Sequence, residues 1–196
     1  MNERKLGKIK KDAINAHIPI IMDDALEKIY EVIGNRKLNS ILEIGTAYGY
    51  SAICFSKLLS ETGKIDTIER NSECITIAKN NIKIMGLDTK INIIEGDATD
   101  VLPSINEVYD MVFIDAAKGK YPFFLEQALR MTKNDSIIFA DNILFKGYVL
   151  SDYNKHKQRT AVTHLREYIK LVNDNPSLNT TILEVGDGLA VSKVVK

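Results

Sequence analysis

The chain has 196 residues, enough for one domain with a substantial core and too few to require two. Hydrophobic residues make up 45% and charged residues 27%, the mix of an ordinary soluble protein. A formal net charge of +0 argues against a molecule drawn as a whole to nucleic acid and leaves only local patches.

Residues 1–16 are basic and mildly amphipathic, with Leu6, Ile9, Ala13 and Ile14 at near-helical spacing. They predict a basic helical segment at the front of a single domain spanning 1–196. Lys5, Lys8, Lys10 and Lys11 cluster here, and a solvated helix face is preferred over a nucleic-acid contact. His17 to Ile21 should be extended, because Pro19 disfavours helix in the residue before it. Asp23 or Asp24 can cap a helix carrying Leu26, Ile29, Tyr30 and Ile33, with Gly34 as its stop.

Ser40 to Ile44 is a short apolar run suited to a central parallel strand, and Gly45 and Gly49 form a G-x-x-x-G turn into a helix from about Ser51. Glu61 to Lys64 reads as a turn into a second strand, Ile65–Glu69. Asn71 caps a helix through about Met85, which Gly86 ends. Ile91–Glu95 is a third strand, followed by Gly96-Asp97-Ala98 and a short helix near 99–105. Met111–Ile114 is a fourth strand. Pro122 suits the first turn of a helix through Met131. Ser136–Ala140 is a fifth strand, and 143–156 is a long loop of the kind that serves as a lid. Arg159–Val172 is helical. Thr180–Val185 and Leu189–Val194 flank Gly186-Asp187-Gly188, a hairpin signal. Cys54 and Cys74 are expected on helix faces as small core residues, unbridged. No segment has the apolar length of a signal peptide or a membrane span, so a cytoplasmic protein without membrane contact is expected.

Alternating strands and helices predict an α/β fold with a mostly parallel sheet, covered on both faces and closed by an antiparallel pair. Ligands of such sheets bind at the C-terminal ends of the strands. Glu69, Asp97, Asp115, Asp141 and Asn142 all sit there, which points to one site. Glu69 is placed for a ribose diol or, more plainly, is an exposed acid before a helix N-terminus. Beside the glycine turn the ribose role is preferred. Gly96, Asp97 and Ala98 lie where an adenine ring could rest. The G-x-G-x-x-G of dinucleotide enzymes is missing, so S-adenosylmethionine is preferred over NAD. Asp115, Asp141 and Asn142 are hard oxygen donors, suited to Mg²⁺, Mn²⁺ or Ca²⁺ rather than zinc. Taken alone, Asp141-Asn142 reads more readily as a turn or cap, and Asp115 at the neighbouring strand end with Lys118 beyond it reverses that preference. Lys118, three residues after Asp115, is placed to take a proton from an acceptor hydroxyl.

Ile41 to Ala52 resembles the first motif of the metal-dependent O-methyltransferases, the family of catechol and caffeoyl-CoA O-methyltransferases. Phe113 to Lys118 and Ala140 to Asn142 look like its metal and catalytic motifs. Within it, His17–Ile21, Phe113–Tyr121, Asp141–Gly147 and Leu183–Ser192 look most like the bacterial tRNA 5-hydroxyuridine methyltransferases. The resemblance runs from about His17 to the end. It implies the seven-stranded Rossmann-like methyltransferase fold with an antiparallel last strand. It further implies cofactor contacts from Glu43, Gly45, Tyr48, Ser51, Glu69, Ala98 and Asp115, backbone of Ile20 nearby, and a homodimer. The implied activity is metal-dependent O-methylation of 5-hydroxyuridine in a tRNA anticodon, giving 5-methoxyuridine. A catechol-like phenol or a caffeoyl-CoA-type ester is the alternative, since 5-hydroxyuracil and catechol both present two adjacent oxygens. An RNA-binding module without turnover is the non-enzymatic reading. Lys146, Lys155, Lys157 and Arg159 are candidate contacts for tRNA phosphates, and Tyr121, Tyr148 and Tyr153 are candidate stacking platforms.

Overall fold

The structure, a computed structural model, describes residues 2–152 and 158–196. Lys155, Lys157 and Tyr153 therefore lie outside the described residues. The strands are β1 Leu38–Ile44, β2 Leu59–Glu69, β3 Ile91–Glu95, β4 Tyr109–Ile114, β5 Thr132–Ala140, β6 Leu178–Leu183 and β7 Leu189–Val194. They form a seven-stranded sheet in the order β3-β2-β1-β4-β5-β7-β6. β1 to β5 pair in parallel, and β7 runs antiparallel between β5 and β6. This is the expected Rossmann-like α/β sheet with its antiparallel closure. The helices are α1 Glu3–Asn15, α2 Asp23–Ile33, α3 Tyr50–Phe55, α4 Ser72–Ile84, α5 Ala98–Val101, α6 Tyr121–Arg130 and α7 Arg159–Asp174.

Strand alternation splits the core in two. Ile41, Met111, Phe113, Ile137 and Phe139 face one side, against Ile29 and Ile33 of α2 and Ile53 and Phe55 of α3. Leu42, Ile44, Val112, Ile114 and Ile138 face the other, against Phe124 and Leu125 of α6 and Leu165 and Tyr168 of α7. Both faces of the central strands are dry, which is why these runs are apolar without a polar alternate.

Some local expectations change. Asn71 caps α4, accepting from the N–H groups of Glu73 and Cys74. The N-cap of α2, however, is Met22, without a side-chain cap. Asp23 pairs instead with Lys10 at 2.5 Å, and the Asp24 carboxylate accepts from the N–H of Gly186 in the β6–β7 turn. Residues 61–64 belong to β2 rather than to a turn. The β1–β2 register slips between Leu38 and Ser40, and a Cβ on Gly63 would stand 2.6 Å from the Leu38 carbonyl oxygen. Cys54 is buried, whereas Cys74 is only half-buried, and both are free thiols. Lys8 pairs with Asp12 and Lys5 donates to the Ile84 carbonyl, so much of the N-terminal basic cluster is engaged within the chain. Among the described residues no helix is long and apolar enough to cross a membrane.

The strand ends position the site. Ile68, Ile44, Ile114 and Ala140 pair across β2, β1, β4 and β5. The next residue on each strand is therefore Glu69, Gly45, Asp115 or Asp141, in one row. Three backbone bonds continue the ladder into that row, from Gly45 N–H to the Ile68 carbonyl, Asp115 to Ile44 and Asp141 to Ile114, each 3.0 Å. Gly45 has φ +95°, and a Cβ there would lie 2.3 Å from the Asp115 carbonyl oxygen. Only glycine fits both constraints. Gly45→Ala should therefore cost at least about 2 kcal/mol in urea unfolding. Gly7→Ala, in exposed helix α1 with open space around it, should add about 0.5–1 kcal/mol.

Candidate active site

A cleft of about 370 Å³ opens over this row. Its lining includes Ile20, Gly45, Ser51, Glu69, Gly96, Asp97, Ala98, Asp115, Lys118 and Asn142, so most of the sequence-derived candidates meet in one place. Pro19, Ile21, Ala47, Tyr50 and Phe124 also line it; the first four lie inside stretches that carry the family resemblance, without having been singled out, and Phe124 carried no motif signal.

Three candidates, Glu43, Tyr48 and Asp141, sit behind the cleft rather than on its lining. Glu43 is 0% exposed and lies under the glycine turn. Its carboxylate accepts from the hydroxyls of Thr46 at 2.6 Å, Ser51 at 2.5 Å and Thr67 at 2.5 Å. It fastens the turn to β2 and to the start of α3. Burial pushes its carboxyl up to about 7, against the pull of those three hydroxyls. Tyr48 is buried, and its carbonyl accepts from Asn81 of α4. Its contribution is to hold the turn.

Glu69 is partly exposed and has two duties. One carboxylate oxygen accepts from the Ala47 N–H at 2.9 Å, the other from the N–H groups of Arg70 and Asn71. Ala47 has φ +47°, so Glu69 secures a strained residue of the glycine turn while facing the cleft. Asp97 caps α5 through Thr99 and pairs with Arg70 at 2.9 Å. The Thr99 N–H and hydroxyl, and then Arg70, hold its carboxyl below the usual range. These contacts fix the Asp97 carboxylate on the wall of the cleft.

At the other end, Asp115, Asp141, Asn142 and Lys118 converge. Asp141 is 2% exposed. Burial first, and then the charge of Asp115, push its carboxyl up to about 7. Burial also raises the Asp115 carboxyl, with Lys118 pulling the other way. Asn142 has φ +56°, which turns the chain sharply after β5, and its N–H donates to Asp141 Oδ1 at 2.7 Å. Lys118 Nζ donates to Asn142 Oδ1 at 2.9 Å and stands 5.5 Å over the Phe145 ring. Two enclosed, mutually repelling carboxylates and an amide oxygen match the donor chemistry of a hard divalent cation. Among the described residues no group of three or more His, Cys, Asp and Glu gathers for a metal, because the third donor here is an amide.

The more distant candidates do not join the site. Lys146 and Arg159 are exposed and do not line the cleft. The Lys146 backbone is tied to the hairpin turn, its N–H donating to Asp187 Oδ1 at 2.5 Å. Tyr121 is 0% exposed, so it cannot be a stacking platform, because its ring fills the core between α6 and α7.

A profile described as O-methyltransferase matches residues 11–195. The catechol O-methyltransferase of Niastella koreensis is 34% identical over 164 residues, covering 79% of this chain and 73% of that one. The caffeoyl-CoA O-methyltransferase of Populus kitakamiensis is 29% identical over 163 residues, covering 78% and 68%. An O-methyltransferase from Bacillus cereus, solved in complex with SAH, superposes with a TM-score of 0.84 at 28% identity, covering 97% of this chain and 90% of that one.

The buried Glu43 carboxyl gives stability a pH dependence. The unfolded chain releases this proton near its ordinary value of 4.5 and the folded chain near 7, so raising pH through that window favours unfolding. Glu43→Gln should flatten that slope. Relative to wild type, it should gain on the order of 3 kcal/mol between pH 4.5 and pH 8 in urea unfolding of the ligand-free protein.

Proposed function

The chain belongs to the O-methyltransferase family, and we propose that it moves a methyl group from S-adenosylmethionine to a hydroxyl oxygen with the help of a divalent cation, Mg²⁺ first among them. The observation that carries this reading is the single row in which Glu69 and Gly45 face the cleft beside the Asp115–Asp141–Asn142 cluster. SAH, bound by the Bacillus cereus relative, is what S-adenosylmethionine becomes on losing its methyl group.

The cofactor end is lined by Ile20, Gly45, Ser51, Glu69 and Ala98. Glu69 is the acceptor for ribose hydroxyls, and the glycine turn lets backbone approach without a Cβ in the way. S-adenosylmethionine supplies an electrophilic methyl carbon whose bond to sulfur breaks as the new bond to oxygen forms. Asp115, Asp141 and Asn142 hold the cation, which supplies Lewis acidity that eases loss of the acceptor proton. Lys118, already hydrogen-bonded to Asn142 at 2.9 Å, is the side chain placed to receive that proton. Pro19, Ile20, Ile21 and Phe124 supply apolar parts of the cleft lining.

For the acceptor, the reading extends to 5-hydroxyuridine of a tRNA anticodon, giving 5-methoxyuridine. It is supported by the motif resemblance and by Lys120 on the cleft wall, a cation for phosphate oxygens. The catechol and caffeoyl-CoA relatives favour a second acceptor, a small phenol with two adjacent oxygens. A homodimer, implied by the same resemblance, belongs to this proposal.

Labelled S-adenosylmethionine, offered with tRNA bearing 5-hydroxyuridine and separately with catechol, each with Mg²⁺ or EDTA, tests the reading. Mg²⁺-dependent label in tRNA alone is the expected result. Label in catechol alone keeps the chemistry and replaces the acceptor. Transfer that survives EDTA removes the cation from the reading.

A further inference from the structure

The cation reading leaves one buried group at the site without a role, the hydroxyl of Tyr121. Tyr121 is the first residue of α6, fully buried and followed by Pro122. Its O–H donates to the backbone carbonyl of Asp141 at 2.8 Å and lies 3.5 Å from the carbonyl oxygen of Ile114. The Ala116 backbone bears on the same hydroxyl. One oxygen thus touches the chain on both sides of Asp115 and at Asp141.

The contact falls where the sheet stops providing order. The β4–β5 register ends at Ile114 and Ala140, and the Asp141 N–H makes the last rung on the Ile114 carbonyl. The next peptide, between Asp141 and Asn142, links two of the three oxygen donors. Its N–H is held by Asp141 Oδ1 at 2.7 Å, and its carbonyl by Tyr121. Asn142 then takes a left-handed conformation, φ +56°. Without the tyrosine O–H, a buried carbonyl would lose its partner at the point where the chain makes this costly turn.

We infer that Tyr121 is a positioning residue for the cation site, fixing the Asp141–Asn142 peptide and through it the aim of two donor side chains. This rests on the cation reading given above. The hydroxyl is separable from the ring. The Tyr121 ring meets Tyr168 edge-on, with centroids 5.6 Å apart. The Tyr168 hydroxyl is equally buried and has no hydrogen-bond partner among the described residues. The stacked pair therefore contains its own control, two phenols of which one holds the site.

The test is titration with Mn²⁺, followed by the electron paramagnetic resonance of the free ion, on the full chain without acceptor. Wild type, Tyr121→Phe and Tyr168→Phe are compared, with S-adenosylmethionine affinity measured on each as a check of the fold. Tyr121→Phe should bind Mn²⁺ about ten- to a hundredfold more weakly while keeping its cofactor affinity. Tyr168→Phe should bind both as wild type does. Wild-type Mn²⁺ affinity in Tyr121→Phe, or equal losses in the two variants, would overturn the inference. So would parallel loss of Mn²⁺ and S-adenosylmethionine in Tyr121→Phe, which would make its role one of fold. Failure of wild type itself to bind Mn²⁺ would instead bring down the cation reading, and this inference with it.

Discussion

The parallel register of β2, β1, β4 and β5 is the constraint on which the site depends. Because Ile68, Ile44, Ile114 and Ala140 share one row, the chain leaves the sheet at the same height on four strands. A one-residue slip in any pair would turn its terminal residue to the opposite face. Such a slip would swap side chains such as Phe113 and Val112 between two cores packed against different helices, and that mismatch disfavours it. Packing far from the cleft therefore sets which side chains meet in it. Gly45 shows the same constraint locally, as the close approach of the Asp115 backbone admits no Cβ.

Burial is used differently at the two acidic centres. Glu43 is enclosed and surrounded by three hydroxyl donors, which fasten the turn around it. Asp115 and Asp141 are enclosed beside each other, with Lys118 as the neighbouring cation. Two carboxylates so placed each hinder ionisation of the other, and a divalent cation is the group that reverses this cost. The first arrangement builds structure, and the second leaves buried charge to be neutralised beside the cleft. Tyr121 stands between these uses, a neutral donor that shapes the charged centre without adding charge to it.

Much of this was legible in the sequence because it is local. Short apolar runs marked the central strands, Asn71 marked the start of α4, and Gly186-Asp187-Gly188 marked the closing hairpin. The acids at strand ends pointed to one site; the cleft gathers Glu69, Asp97, Asp115 and Asn142, while Asp141 is buried behind its lining. What was hidden depends on partners remote in the chain. Asp24 looked like a helix cap but is taken by Gly186 at the opposite end of the sequence. The early part of β2 looked like a turn because Gly63 marks it, yet that glycine answers to the Leu38 carbonyl on the neighbouring strand. Glu43 carries the signature of a ligand residue, and only the positions of Thr46, Ser51 and Thr67 show it to be a support. Tyr121 looked like an exposed ring beside basic residues; its burial follows from α7, whose packing no local pattern reveals.

The central claim is that one strand-end row carries two separable half-sites, one for S-adenosylmethionine and one for the cation that prepares the acceptor. Calorimetric titration of Asp141→Ala with S-adenosylmethionine, paired with its turnover, tests this most directly. The account predicts cofactor affinity within about threefold of wild type, with turnover reduced to background. Cofactor affinity that collapses together with turnover would place Asp141 in the cofactor half and contradict the division.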